Sequence, residues 1–343
     1  MAFQGRREHL SRIELCVRKS TALEKSTALE GHRTKQSYKT AVRGHPTTRK
    51  LSMKTLRVAT CQFSIEPEIS HNRHWVIKQI QEAAEQGAKV AHFSECALSG
   101  YLGVDIPNVD ALDWNELVAA TADIQQEAKR NKIWVLLGSS HRLNNHKPHN
   151  SVYVIDPKGK IVGRYDKRYC TGEMKRRPTM DLSHYSPGDH FTTFQVAGVT
   201  CGILICYDYR FPELYRQYKQ LGVEVIFQSF HNARATVVDD EEYNIWKTIV
   251  PSTMACRAAE NYFWVSANNS TTRPSRWPSF AVRPDGAMVG QLVLHRPGVL
   301  ITDMKIGKGY YDPAGPWRDR TMQGQLNSGD LVKDPRSQDV TCL

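Results

Sequence analysis

Residues 56–303 predict an α/β protein in which helices cover mixed β-sheets. Apolar runs of strand length alternate with stretches of helical periodicity, which is the pattern of layered helices and sheets. Hairpins with tight turns are mixed in, so the sheets cannot be purely parallel. The 343 residues, 40% of them hydrophobic, suffice for one large domain or two smaller ones. No internal domain repeat is visible.

The elements follow in order. Residues 56–63 (LRVATCQF) read as a strand, and 74–86 as a helix whose apolar residues recur at helical spacing before Gly87. A short buried strand at 90–93 leads into Ser94-Glu95-Cys96, and a helix at 114–130 precedes a strand at 133–138. Residues 151–156 and 161–165 form a hairpin around Pro157-Lys158-Gly159-Lys160. After a long loop come strands at 191–196 and 199–205, joined by a tight turn at Ala197-Gly198. A helix should run from Pro212 to about 221, with Pro212 suited to its first position, and a strand should follow at 223–228. A helix started or kinked by Pro251 runs to Asn261, and a strand occupies 262–267. A last hairpin turns at Pro284-Asp285-Gly286, and 299–303 closes the sheet region.

Charge is unevenly placed. Residues 1–53 hold 12 Lys/Arg against 4 Asp/Glu, leaving 34 against 31 for the rest, so most of the net +11 belongs to a tail. That tail repeats Lys-Ser-Thr-Ala-Leu-Glu at 19–24 and 25–30 and lacks core-forming periodicity, so it is expected to be a disordered basic extension. Its Arg, Ser and Thr would suit a transit peptide, which Glu8, Glu14, Glu24 and Glu30 argue against. The nearly balanced body, without a basic stripe interleaved with aromatics, argues against a nucleic-acid partner. No secretory signal or long apolar span is present, so no membrane is expected either. Eight scattered cysteines without CxxC pairs suit free thiols in a reducing, cytoplasmic setting. The 13 histidines form no zinc motif.

Three residues at strand ends carry the chemistry. Cys206 closes the apolar run 199–205 just before the helix at Pro212, and a strand that hands over to a helix can expose a thiol beside backbone N–H groups. Glu95 follows the apolar strand 90–93, where desolvation suits a general base or acid. Lys167 follows the hairpin strand 161–165. A thiol needs a base and a nearby cation, and a tetrahedral oxyanion needs positive charge, which these three types supply without histidine.

The segments HFSECALSGY (92–101), Tyr165-Asp166-Lys167 and ICYDYRFPE (205–213) resemble the three signature regions of the nitrilase superfamily of carbon–nitrogen hydrolases, nearer its amidase-like branches. The downstream Arg257-Ala258-Ala259-Glu260-Asn261 and Arg283-Pro284-Asp285-Gly286 agree, and the resemblance spans about 56–303. It implies a four-layer α-β-β-α sandwich with two mixed sheets over 54–305, pairing into a homodimer or larger homo-oligomer. Residues 306–343 are then an extension packing on the body or a partner. The resemblance also implies Cys206 as nucleophile, Glu95 as base, and Lys167 with the Tyr207 backbone N–H as oxyanion donors. Glu173 is the implied second glutamate, although its surroundings fit the family wording loosely, and Arg210 and Glu213 are structural.

The implied reaction is hydrolysis of a non-peptide C–N bond, in a small amide or N-carbamoyl acid, through a thioester with release of ammonia. It needs no metal or organic cofactor. Nitrile hydrolysis, acyl transfer and an idle scaffold are the alternatives. The segment 229–234 should line the same sheet edge, making Phe230, His231 and Asn232 expected pocket residues. Arg168, His231 or Arg234 could meet a substrate carboxylate, and Trp277 either walls the pocket or packs in the core.

Overall fold

The computed structural model describes residues 53–174, 179–232 and 245–341. The expected disordered extension therefore falls, except for Met53, outside the described residues, as does Arg234.

Two six-stranded mixed sheets stack on one another, each covered on its outer face by helices. The first sheet contains β1 (Lys54–Gln62), β2 (Val90–His92), β3 (Trp134–His141), β4 (His149–Ile155) and β5 (Ile161–Asp166) in sequence order. The second contains β6 (Thr193–Val196), β7 (Val199–Ile205), β8 (Val225–Ser229), β9 (Trp264–Asn268), β10 (Phe280–Val282) and β11 (Met288–Gln291). The last strand, β12 (Gly298–Ile306), returns to the first sheet and pairs antiparallel with β1, with Lys54 opposite Ile306 and Gln62 opposite Gly298. The strands β1–β3 are mutually parallel, as are β7–β9, so both sheets gather strand ends at one edge.

Strand alternation builds the layers. In β1, Leu56 and Val58 join the core between the sheets, whereas Ala59 and Cys61 pack with the outer helices α1 (Ile69–Glu85) and α2 (Trp114–Asn131). On the other side, Leu214, Tyr215 and Tyr218 of α4 (Pro212–Gln220) and Val250, Met254 and Ala258 of α5 (Trp246–Asn261) cover the second sheet. A short α3 (Asp181–His184) lies in the long loop before β6.

The interface between the sheets is apolar except for a polar seam. Thr60 Oγ1 and Ser266 Oγ lie 2.7 Å apart, and the buried His92 ring spans Ser266 Oγ (2.9 Å) and Ser229 Oγ (3.0 Å). Because Ser229 Oγ also donates to the Phe93 carbonyl at 3.2 Å, an Nε2–H imidazole satisfies every member of this chain.

Most expected elements are present. Helix α1 begins five residues earlier than its apolar spacing indicated, with Ile69 and Asn72 already buried. Pro251 lies inside α5, and the missing N–H falls within the second turn, where only one intrahelical bond is forgone. Beyond β12, Tyr310 packs edge-on against Trp264 (centroids 5.7 Å apart), and Arg318 of α6 (Gly315–Met322) donates to the Glu260 carbonyl at 2.9 Å.

Candidate active site

Three segments meet at the shared sheet edge, and each contains a non-glycine residue in the left-handed region. These residues are Cys206 itself (φ 39°), Cys96 directly after Glu95 (φ 53°), and Met180 directly before Asp181 (φ 49°). Such conformations cost about 1–3 kcal/mol each and persist where surrounding contacts impose them.

The contacts around Cys206 are explicit. After β7 the chain makes a tight turn, residues 206–210, before α4. Buried Asp208 pins this turn: Oδ2 accepts from the Ile205 N–H (3.1 Å) and the Tyr165 hydroxyl (2.8 Å), and Oδ1 accepts from the Tyr169 N–H (2.9 Å). Burial pushes the Asp208 carboxyl up to about 6 despite these donors. From the other side, Gln228 Nε2 donates to the Cys206 carbonyl at 3.3 Å, and the Tyr215 hydroxyl of α4 donates to Gln228 Oε1 at 2.5 Å. Tyr165 and Tyr169 flank Lys167, so the same carboxylate ties the lysine segment to the cysteine turn.

Glu95 is fully buried. Oε1 accepts from Lys167 Nζ (2.8 Å) and Asn150 Nδ2 (2.8 Å), and Oε2 accepts from the His231 backbone N–H (3.0 Å). The half-buried Cys206 thiol is close enough to Glu95 and Lys167 to feel both charges. Burial and the Glu95 charge push that thiol well above the usual cysteine range, with Lys167 opposing them, so the resting sulfur holds its proton. The close approach of the Glu95 turn to β3 depends on Gly138, where an added Cβ would lie 2.0 Å from the Ser94 carbonyl oxygen.

Lys167 is 1% exposed and spends its three N–H bonds inside the protein. Besides Glu95 they reach Asp181 Oδ2 at 2.7 Å and the Tyr101 hydroxyl at 3.0 Å. The Tyr101 hydroxyl in turn donates to Asp181 Oδ1 at 2.7 Å. Burial alone would lower the lysine pKa, but Glu95, Tyr101 and Asp181 overcome it and hold the ammonium well above the usual range. The Lys167 charge and its hydrogen bond, with those from Tyr101 and Thr171, outweigh burial at Asp181 and hold its carboxyl below the usual carboxylate range.

Glu95, Lys167 and Cys206 are thus brought together as the spacing suggested. Besides Glu95, the carboxylate that meets the lysine is Asp181. Glu173 is exposed, with its backbone N–H donating to Thr179 Oγ1 at 3.1 Å, and Asp181 stands on the lysine. Phe230 is fully buried rather than lining an open pocket, because Tyr209 and Trp277 pack edge-on against it. Trp277, 4% exposed, is accordingly core. The His231 ring stacks on Tyr101 and sits with Nε2 3.0 Å from Asp105 and Nδ1 2.9 Å from Ser270 Oγ, so it braces the site from behind and offers only its backbone to Glu95. Asn232, half-buried, accepts from the Arg276 N–H. Tyr207 is half-buried against Phe211, and the Arg168 guanidinium lies over Phe191. Tyr101, Asn150 and Asp181 were missed. Asking which carboxylate between residues 168 and 190 could neutralise a buried lysine would have narrowed the last to Glu173, Asp181 or Asp189.

Among the described residues no group of three or more His, Cys, Asp and Glu side chains is placed to hold a metal ion. Nor is any described helix long and apolar enough to cross a membrane.

Fold and site together define an α/β sandwich enzyme with a thiol, a carboxylate and an ammonium at one sheet edge. A model of the carbon-nitrogen hydrolase family matches residues 57–310, and the chain belongs to that family. Omega-amidase NIT2 of Homo sapiens is 31% identical over 179 residues, 51% of this chain and 63% of that protein. The 2-oxoglutaramate amidase of Bacillus subtilis is 28% identical over 169 residues, 49% of this chain and 60% of the relative. These matches span about three fifths of the relatives' own length. Among solved structures, an amidase of the nitrilase superfamily from Nesterenkonia AN1 superposes with a TM-score of 0.64 at 21% identity, over 79% of this chain and 97% of that one. That likeness shows the fold.

Proposed function

We propose that the protein hydrolyses the C–N bond of a small amide through a thioester on Cys206. Glu95 takes the thiol proton as sulfur forms a bond to the carbonyl carbon, and the oxygen of the tetrahedral adduct is met by Lys167 and the Tyr207 backbone N–H. Protonated Glu95 gives its proton to the departing nitrogen, the C–N bond breaks, and ammonia leaves an acyl thioester. Glu95 then takes a proton from water, whose oxygen attacks the thioester and returns the acid and the free thiol. The observation that carries this reading is the fully buried Glu95–Lys167 contact at 2.8 Å, with the Cys206 thiol held in the field of both charges. A base shared by nucleophile and oxyanion donor fits acyl transfer to water and has no evident purpose in an inert scaffold.

The relatives named as ω-amidase and 2-oxoglutaramate amidase favour an amide whose other end carries a carboxylate, ahead of an N-carbamoyl acid or a nitrile. The reading includes a homo-oligomer in a cytoplasmic setting, which light scattering and cell fractionation would check. The functional test is ammonia release from succinamate, an N-carbamoyl amino acid, a simple monoamide and a nitrile, by wild type and Cys206→Ala. Turnover of an amide that disappears in the variant supports the proposal. Turnover that survives Cys206→Ala, or none on any amide by a folded protein, refutes it. Hydroxamate formation with added hydroxylamine would report the acyl thioester.

A further inference from the structure

The peptide group joining Phe230 to His231 holds Glu95 at both ends. Its carbonyl accepts from the Glu95 backbone N–H at 3.2 Å, and its N–H donates to Glu95 Oε2 at 3.0 Å. Among the described residues, Oε1 has Lys167 and Asn150 as donors, whereas Oε2 has this backbone N–H. A carboxylate oxygen accepts two bonds, so Oε2 keeps room for the thiol proton. The plane of one peptide group thus decides where the base points.

Side chains hold that plane from both sides. Phe230 is closed in by Tyr209 and Trp277. The His231 side chain is fully buried, with Nδ1 2.9 Å from Ser270 Oγ and Nε2 3.0 Å from Asp105 Oδ2, and its ring stacks on Tyr101 with centroids 5.6 Å apart. The same Asp105 oxygen accepts from the Tyr101 N–H at 2.9 Å. Tyr101 in turn accepts from Lys167 through its hydroxyl. One carboxylate oxygen therefore joins the peptide behind the base to the residue behind the ammonium, across the segments that follow β2 and β8.

Stability does not account for this pair. Asp105 and His231 have no side-chain exposure, and apolar residues of similar volume in such places are often as stabilising as an ion pair, or more so. Neither residue lies in a segment that resembles the nitrilase superfamily, and neither takes part in the proton transfers proposed above. An apolar contact would fill the same space without fixing the rotation of the His231 ring. Ring nitrogens anchored at opposite edges, on Asp105 and Ser270, do fix it.

On the reading of Glu95 as the base, we infer that Asp105 and His231 are positioning residues for the reaction. Together they set the 230–231 peptide that aims the Glu95 carboxylate, and Asp105 keeps that peptide in register with the Tyr101 segment on Lys167.

Two double variants test this, both containing Asp105→Asn so that no buried charge is left alone and the Tyr101 N–H keeps an acceptor. With His231→Gln a side-chain N–H still reaches residue 105; with His231→Leu none does. In ammonia release from the amide that wild type turns over best, kcat should fall at least tenfold in the leucine variant, with KM within about twofold. The glutamine variant should recover kcat to within about fivefold of wild type. The acid limb of kcat/KM reports the free base, and an N–H on a carboxylate favours its charged form, so that limb should lie about half a pH unit or more higher in the leucine variant. Lys167, Cys206, Tyr101, Cys96 and Cys170, which feel the Glu95 charge, are the same in both. A part in folding alone would lower the melting temperature and leave the acid limb in place. His231→Met, also without a donor, gives the same comparison if the leucine variant does not fold. Equal rates and coincident acid limbs in the two variants, with turnover that needs Cys206, would overturn the positioning role alone. Turnover that survives Cys206→Ala would overturn the reading of the reaction, and this role with it.

Discussion

Replacing Asp181 with Asn tests which carboxylate completes the lysine site. The side chain keeps its size, and one amide oxygen can still accept from Tyr101. What disappears is the negative partner 2.7 Å from Lys167 Nζ, with the charge that helps hold the ammonium protonated. Hydrogen bonds to charged groups contribute about 1.5–3 kcal/mol, and Glu95 still compensates the lysine, so the full 3–5 kcal/mol of a broken buried pair is not expected. At about 1.4 kcal/mol per decade, kcat/KM should fall roughly 10- to 100-fold. Two further signs distinguish this from general damage. Because Asp181 raises the lysine pKa, its removal lowers it, so the alkaline limb of the pH–rate profile moves to lower pH. The melting temperature should drop by only about 3–6 °C. Glu173→Gln, at an exposed position, should stay within about threefold of wild type. The assay is ammonia release from the amide that wild type turns over best. An Asp181→Asn enzyme within threefold of wild type, beside an inactive Glu173→Gln, would refute the assignment.

Two other perturbations concern the buried His92 and the close approach at Gly138. Burial pushes His92 down to about 3, whereas an unfolded histidine titrates near 6.5, so between those values the unfolded chain holds the extra proton. Stability should be unaffected by His92 above pH 6.5 and decline as pH falls, by about 3 kcal/mol at pH 4.5. Urea midpoints at pH 7 and 4.5 for wild type and His92→Gln would show this as a smaller pH dependence in the variant, and parallel behaviour would contradict it. Gly138→Ala forces the Ser94 carbonyl away from a Cβ otherwise 2.0 Å distant, moving the Glu95 turn by about 1 Å. Displacements of that size can cost about 10²-fold in rate, so a wild-type rate with an unchanged melting temperature would sink the argument.

What the sequence made legible follows from how each feature is encoded. Apolar runs such as 199–205 and 90–93 specify buried strands directly, and the chemistry placed at their ends, Cys206 and Glu95, could be read from one segment each. Asp181 could not. It lies in the loop between β5 and β6 with no periodic pattern around it, and its role arises only when the chain folds back onto Lys167, 14 residues earlier. Phe230 and His231 misled for another reason. Following β8 to its end predicts the right edge of the sheet, but not that Tyr209 and Trp277 close over the ring of one or that Asp105 draws away the ring of the other. The pairing of β12 with β1 was similarly hidden, since nothing in residues 298–306 indicates which of two sheets the strand joins.

The resting site poses a question that its own geometry answers. Lys167 is the proposed oxyanion donor, yet all three of its N–H bonds already have acceptors, and a fourth is chemically impossible for an ammonium. One bond must be given up as the oxyanion forms. Asp181 and Tyr101 bond each other as well as the lysine, so releasing either would disturb a closed triangle. Glu95 differs, because under the proposed mechanism it accepts the thiol proton at the moment charge develops on the substrate oxygen. A protonated carboxyl attracts an ammonium far less than a carboxylate does. Proton transfer to Glu95 would therefore loosen the contact that keeps Lys167 from the substrate, while Asp181 keeps the lysine charged and in place. On this argument Glu95 is both base and latch, and the second carboxylate matters because it does not titrate during the step.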